Sequence, residues 1–228
     1  MSQWVMPGDP PIPIQFRPSR RARRLSLRVS SLDGRVSVSF PVGYSKNDVL
    51  SFLNEKERWL RRTLNSQKGM IEVAIGAHLS IEGVNHEIVA GKGRSAVVAN
   101  AKVAVPQTRA GVVLKAFLRN LARERVSPLV DRYAAELNKE PGRLSFRDTR
   151  SRWGSCTIEG NLMFSWRLAM APSEVLSYVV AHEVAHLRHM HHQLDFWDEV
   201  TGLYGDYTEE RRWLRTEGSE LHRYRFGG

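Results

Sequence analysis

One stretch of this 228-residue sequence has residue types and spacing suited to metal chemistry: VVAHEVAHLRHMHH, residues 179–192. Within it, His182-Glu183-Val184-Ala185-His186 forms an HExxH motif. Histidines at i and i+4 lie on one face of a helix, about 6 Å apart along its axis, so both imidazoles can reach one ion. Zinc takes such nitrogens at about 2.0–2.1 Å. Glu183, next to the first ligand, is placed to take a proton from a water that the ion activates. Val175, Leu176, Val179, Val180 and Val184 supply the apolar stripe that buries such a helix.

A catalytic zinc needs a third protein ligand and an open position. On a continuing helix His189 would sit about 10 Å along the axis from His182, too far to share its ion. The third ligand must therefore arrive from off the axis, so the helix is expected to end near Met190 and the chain to turn back. His192 has the first-to-third spacing of the pattern HExxHxxGxxH, although His189 stands where that pattern has glycine. Spacing favours His192; Cys156 is a rival ligand, and Glu209 or Glu210 a more distant one. Phe196 and Trp197 are expected to anchor the turn that delivers His192. Tyr178 shares the ligand face one turn earlier and reads as a packed core residue.

The expected class is α+β, a β-rich N-terminal half followed by a C-terminal domain built around the HExxH helix. Residues 22–31 and 35–40 alternate apolar and polar around Asp33-Gly34, a hairpin signal. Pro41 and Gly43 break that sheet, and Ser45 can cap a helix running to about Asn65. From Ile71 to Val105 the chain is glycine-punctuated and reads as several short strands. Ala110 to Leu137 is helical in pattern, with Pro128 expected to kink or interrupt it. Strands are expected at 143–149, 151–157 and 161–166, then the helix opened by Pro172-Ser173, and helices near 193–204 and 207–222. The division reads as 1–105, β-rich with one helix, and 106–228, the metal-binding domain.

Composition sets the wider bounds. Hydrophobic residues make up 42% and charged residues 25%, enough apolar material for a sizeable core, which argues against a disordered or collagenous chain. No apolar run approaches the roughly 18 residues of a membrane span, and no signal peptide is evident, so a cytoplasmic protein is expected. The single cysteine, Cys156, fits a reducing compartment. Residues 1–70 hold 13 Lys/Arg against 5 Asp/Glu, so this third carries most of the net charge of +10. A solvated face is the plain reading of that surplus, and nonspecific nucleic-acid contact the alternative.

The sequence resembles the YgjP-like metallopeptidase family, zincin-like metal-dependent hydrolases related to SprT-like and WLM-type proteases. SRRARRLSLRV with DGRVSVSFP is similar to the family's N-terminal hairpin, and EKERWLRRTL to its following helix. SRWGSC with GNLMFSWRLAMAP matches the segment ahead of its metal helix. VLSYVVAHEVAHLRHMHHQLDFW matches its signature, with His191 in place of the usual asparagine. The resemblance implies a zincin-like C-terminal fold and His192 as the third ligand. It also implies that residues 151–156 border the cleft, where Arg152 and Trp153 are candidate substrate-binding residues; the plain alternative makes Trp153 and Cys156 core and Arg152 a salt-bridge partner. With one zinc per chain, held by His182, His186 and His192, and Glu183 as general base, the implied activity is cleavage of a peptide or protein substrate. The family also suggests a metal-dependent nucleotide pyrophosphatase, but the sequence has no P-loop and no carboxylate cluster suited to Mg²⁺. A nucleic-acid-binding module with a structural zinc is the third reading. A closed structural site usually takes four ligands, often cysteines, and there is only one cysteine here. Any nucleic-acid binding through the basic third should be sequence-independent and fall steeply with salt, because phosphate contacts release counterions. Filter binding across a salt series checks this; base-specific or salt-insensitive binding would contradict it.

Overall fold

A computed structural model describes residues 3–30, 33–65 and 69–227. The chain is mixed α+β and forms two compact units, 1–70 and 71–228. In the first unit, β1 (Gln3–Met6), β2 (Ile12–Ser19), β3 (Ser26–Val29) and β4 (Val36–Pro41) form a sheet in the order β1-β2-β4-β3. β2 and β4 are parallel, and the other two pairs are antiparallel. β3 and β4 are the expected hairpin; Gly34 closes its turn at φ 68°, while residues 31 and 32 lie outside the described residues. β1 and β2 were not expected in a proline-rich segment. Ile12, Ile14 and Phe16 are nonetheless buried on one side of β2, the period-2 signature of a strand, with Pro13 between them exposed. Ser45 caps α1 (Lys46–Glu55) by accepting from the Asp48 amide at 3.1 Å. The expected single helix is two, because the chain breaks at Lys56 before α2 (Glu57–Asn65). Val49, Leu53 and Leu60 join Met6, Ile12, Ile14, Phe16, Val36 and Val38 in this unit's core.

The second unit begins with β5 (Ile71–Glu72), which pairs in parallel with the C-terminal β13 (Tyr224–Arg225). A four-stranded sheet in the order β6-β7-β9-β8 follows, from β6 (His78–Ile81), β7 (Val84–Ala90), β8 (Val97–Ala99) and β9 (Lys102–Val105). The β6–β7 turn places Glu82 at φ 50° and Gly83 at φ 80°, left-handed values at both central residues as a two-residue hairpin requires. A side chain at Gly83 would also press on Pro172, with its Cβ 3.0 Å from the Pro172 Cα.

This hairpin explains why the boundary expected near Pro106 is not where the chain divides. The Glu82 and Gly83 amides donate to the carbonyls of Ala169 and Met170, and Ser80 Oγ donates to Met170 O. Ile81, Ile88, Val103 and Val105 share one core with the helices that follow. Residues 71–105 thus belong with the second unit.

α3 (Ala110–Glu136) runs through Pro128 without the interruption that was one of the two expected outcomes. Pro128 removes one backbone donor, but buried Leu118, Ala122, Val126, Val130 and Tyr133 on both sides hold the helix to the core. β10 (Leu144–Arg147), β12 (Leu162–Ser165) and β11 (Gly154–Cys156) form a sheet in that spatial order, with β11 at its edge. A buried 3-10 segment, Trp166–Met170, leads to α4 (Ser173–Ala185). α5 (Leu194–Tyr204), α6 (Thr208–Thr216) and a further 3-10 segment, Gly218–Arg223, complete the unit. Among the described residues, no helix is long and apolar enough to cross a membrane.

Arg167 ties the C-terminal segment to this core. Its guanidinium makes a two-pronged bond to Asp148, at 2.7 and 3.2 Å, and donates to the carbonyl of Leu221 at 2.7 Å and of Tyr224 at 3.3 Å. Removing one partner of a buried ion pair typically costs about 3–5 kcal/mol, because the other charge is left uncompensated. Here the charge left behind, Asp148, is exposed and solvated, so the loss from Arg167→Ala comes mainly from the unpaired Leu221 and Tyr224 carbonyls and should be about 1–3 kcal/mol. Denaturant unfolding checks this; a loss below about 1 kcal/mol would show that the fork does not hold the segment.

Candidate metal centre

α4 is buried on nearly every side: Val175, Leu176, Tyr178, Val179, Val180, Ala181, Glu183, Val184 and Ala185 are all buried. The helix ends at Ala185, five residues before the expected Met190. The Leu187 and Arg188 amides reach back only three residues, to Val184 and Ala185, which tightens the last turn. His186 Nδ1 bonds to the carbonyl of His189 at 2.8 Å, and the Arg188 guanidinium donates to the carbonyl of Leu137 just beyond α3. Together these contacts fix the turn and send the chain back toward α4.

The result brings His182, His186 and His192 together, one ligating atom of each lying within 4.8 Å of the others. His182 Nε2 and His192 Nε2 are 3.3 Å apart. Two nitrogens bound tetrahedrally at about 2.0–2.1 Å from one ion are separated by about 3.3–3.4 Å, so this spacing fits a shared zinc. The bond from His186 Nδ1 to a carbonyl makes that nitrogen the protonated one and leaves Nε2 its lone pair. Phe196, fully buried, packs against all three rings with centroids 4.5–4.9 Å away. Trp197 packs against His182 and His192. Both aromatics thus occupy the place expected of them beside the turn.

Burial governs the electrostatics. It pulls His182 down to about 3, with the neighbouring His186 and His192 adding to the effect. His182 Nδ1 is buried without a hydrogen-bond partner among the described residues, which makes a cationic ring there still more costly. His186 is lowered too, again mainly by burial, against the opposing bond to His189 O. Both imidazoles are therefore held neutral, the form that donates a lone pair. Glu183 is 6% exposed, and burial raises its carboxyl to about 8 while the nearby Arg152 cation works in the other direction.

The three histidines and Glu183 line a cavity of about 460 Å³, and residues 152–156 line it too. Gly154 is the close approach that sequence reasoning missed. A Cβ there would lie 2.4 Å from Glu183 Cγ and 2.6 Å from Oε1, so only glycine lets the carboxyl lie against β11. The available signal was a glycine inside a strand run, which often marks such an approach. Arg152 is exposed and Trp153 partly buried; both line the cavity, and Trp153 stacks on the buried His222 at 5.0 Å. Tyr178 is buried as expected, yet it also lines the cavity, stacked on Tyr207 and edge-on to His182.

The rival ligands do not join the histidines. Cys156 lines the cavity, but burial and the nearby Glu183 push its thiol up to about 11, and its Sγ donates to Thr157 O. Glu209 and Glu210 border a different cleft beside Pro172 and Trp213. His189 and His191 turn to a second group with Asp195.

Comparison with known proteins places the chain in a family. The family described as YgjP-like, metallopeptidase domain, matches residues 23–217. This chain belongs to the YgjP-like metallopeptidase family. The crystal structure of the metallopeptidase zymogen of Pyrococcus abyssi abylysin is similar at 20% identity, covering 40% of this chain and 95% of that one. Its TM-score is 0.36. No curated protein matches.

The buried carboxyl gives a prediction with a definite sign. In the metal-free YgjP-like chain, Glu183 titrates near 8, whereas a carboxyl in the unfolded state titrates near 4.5. The stability tied to the protonated form is fully present below about 4.5 and is lost as pH rises to about 8. Glu183→Gln keeps the neutral form at every pH, so its stability relative to the wild type should grow between pH about 5 and about 8.5. Melting curves of metal-free protein check this, and a difference that does not change with pH would contradict the burial argument.

Proposed function

We propose that this chain is a zinc-dependent peptidase of zincin type. The carrying observation is the 3.3 Å approach of His182 Nε2 and His192 Nε2, with His186 in the same cluster and Glu183 in the same cavity. In this reading His182, His186 and His192 hold one zinc. Three nitrogens rather than four, in the wall of a cavity, suit an open catalytic position better than a closed structural one. When bound, the ion supplies Lewis acidity: it polarises a carbonyl, acidifies water and favours the ionised form of Glu183.

The chain's own residues supply the rest. Glu183 accepts a proton from the attacking water and passes it to the amine nitrogen of the leaving group. Gly154 sets the height of that carboxyl over β11, and Arg152 favours its charged form. Among the described residues β11 pairs only with β12, which leaves its outer edge beside the cavity for an extended peptide to join by main-chain hydrogen bonds. Arg152 is then placed to hold a substrate carbonyl or carboxylate, and Trp153 to pack against a side chain.

Glu183→Gln should retain zinc and lower peptide hydrolysis by about 10²–10⁴-fold, the usual contribution of a positioned base. His192→Ala should lose zinc, whereas His189→Ala should keep the ion at this triad. Metal content and hydrolysis of a peptide library, measured together on the same variants, test the reading. Unchanged turnover in Glu183→Gln, or zinc retained by His192→Ala, would overturn it.

A further inference from the structure

The turn that delivers His192 carries a second set of metal-ligating side chains. His189, His191 and Asp195 each offer one atom, all within 4.8 Å of one another. His189 Nδ1 lies 3.3 Å from Asp195 Oδ2, and His191 Nδ1 lies 3.6 Å from Asp195 Oδ1. We propose that His189, His191 and Asp195 form a second binding site for a first-row transition-metal dication, weaker than the triad at His182.

The arrangement around His189 distinguishes this cluster from a chance ion pair. Its other ring nitrogen, Nε2, lies 3.3 Å from Glu199 Oε2. Glu199 is itself held by the Arg188 guanidinium at 2.7 Å, and its side chain is only 17% exposed. A carboxylate accepting from one imidazole nitrogen leaves the lone pair on the other, the way metal-bound histidines are commonly oriented. Arg188 and Glu199 thus aim His189 Nδ1 toward Asp195 and His191. Asp195 is steadied as well, since its Oδ1 accepts from the Phe196 amide at 2.9 Å.

The donor set selects the ion. Two imidazoles and one carboxylate suit zinc, nickel or copper, whereas calcium and magnesium need mainly oxygen ligands. His191 and Asp195 are exposed, so water completes the coordination and binding is weaker than at a triad packed on Phe196. The two sites meet at residue 189: its side chain belongs to the second cluster, while its carbonyl accepts from His186 Nδ1 of the first. An ion at the second site therefore braces residues 189–195, the segment that carries His192. The inference rests on this cluster alone and does not require the first triad to be catalytic.

The test is zinc stoichiometry by equilibrium dialysis of tag-free, metal-depleted full-length protein in excess zinc, for wild type, His191→Ala and Asp195→Asn. The Asp195→Asn change keeps an acceptor for the Phe196 amide while removing the charge, which guards against a simple folding defect. Two ions in the wild type and one in each variant, with the remaining ion resisting a weak chelator, is the expected result. One ion in the wild type and one in both variants would overturn the second site and leave the first intact. One ion in the wild type and none in His191→Ala would overturn both assignments, because His191 would then belong to the single site.

Discussion

Two imidazoles one helical turn apart can share an ion, but no third ligand can reach that ion along the same axis. The chain has to leave the helix and return, and the structure is organised around that return. α4 stops at Ala185, the Arg188 side chain bonds to the carbonyl at the end of α3, and His186 bonds back to the carbonyl of His189. Phe196 then seats all three rings from the first turn of α5. The resulting 3.3 Å between His182 and His192 is a separation that an isolated helix could not produce.

The same burial that orders the site sets its charge state. Apolar packing around α4 keeps His182 and His186 neutral, ready to donate lone pairs, and it also pushes Glu183 toward its protonated form. A buried carboxylate beside two neutral imidazoles is costly until a cation arrives, and Arg152 offsets only part of that cost. In the proposed reading, metal affinity and base strength are coupled through one buried helix. The close seat on Gly154 leaves room for the carboxyl against β11.

Much of this was legible in the residues, and the exceptions have physical causes. The HExxH spacing, the ten-residue step to His192 and the aromatic pair at 196–197 follow from helix geometry and ligand reach. The end of α4 did not, because it is decided by side-chain bonds from His186 and Arg188 to carbonyls outside the helix, which no local pattern encodes. Pro128 was expected to kink or interrupt α3, and it does not interrupt it, because burial on both sides outweighs one missing backbone bond. The strands of the proline-rich N-terminus were hidden for a related reason: the alternation Ile12, Ile14, Phe16 is visible only when Pro13 is allowed to face outward. Residues 71–105 are β-rich like the segment before them, but their β6–β7 turn bonds to Ala169 and Met170. Long-range partners of this kind, like the seat of Glu183 on Gly154, are tertiary facts.

The central claim is that His182, His186 and His192, and no sulfur, hold the metal. X-ray absorption at the zinc edge, on protein loaded with a single equivalent of zinc, tests it most directly. The account predicts three imidazole nitrogens at about 2.0–2.1 Å and one light oxygen donor from solvent. A sulfur scatterer at about 2.3 Å would place Cys156 in the site, and a shell with fewer than three imidazoles would contradict the triad.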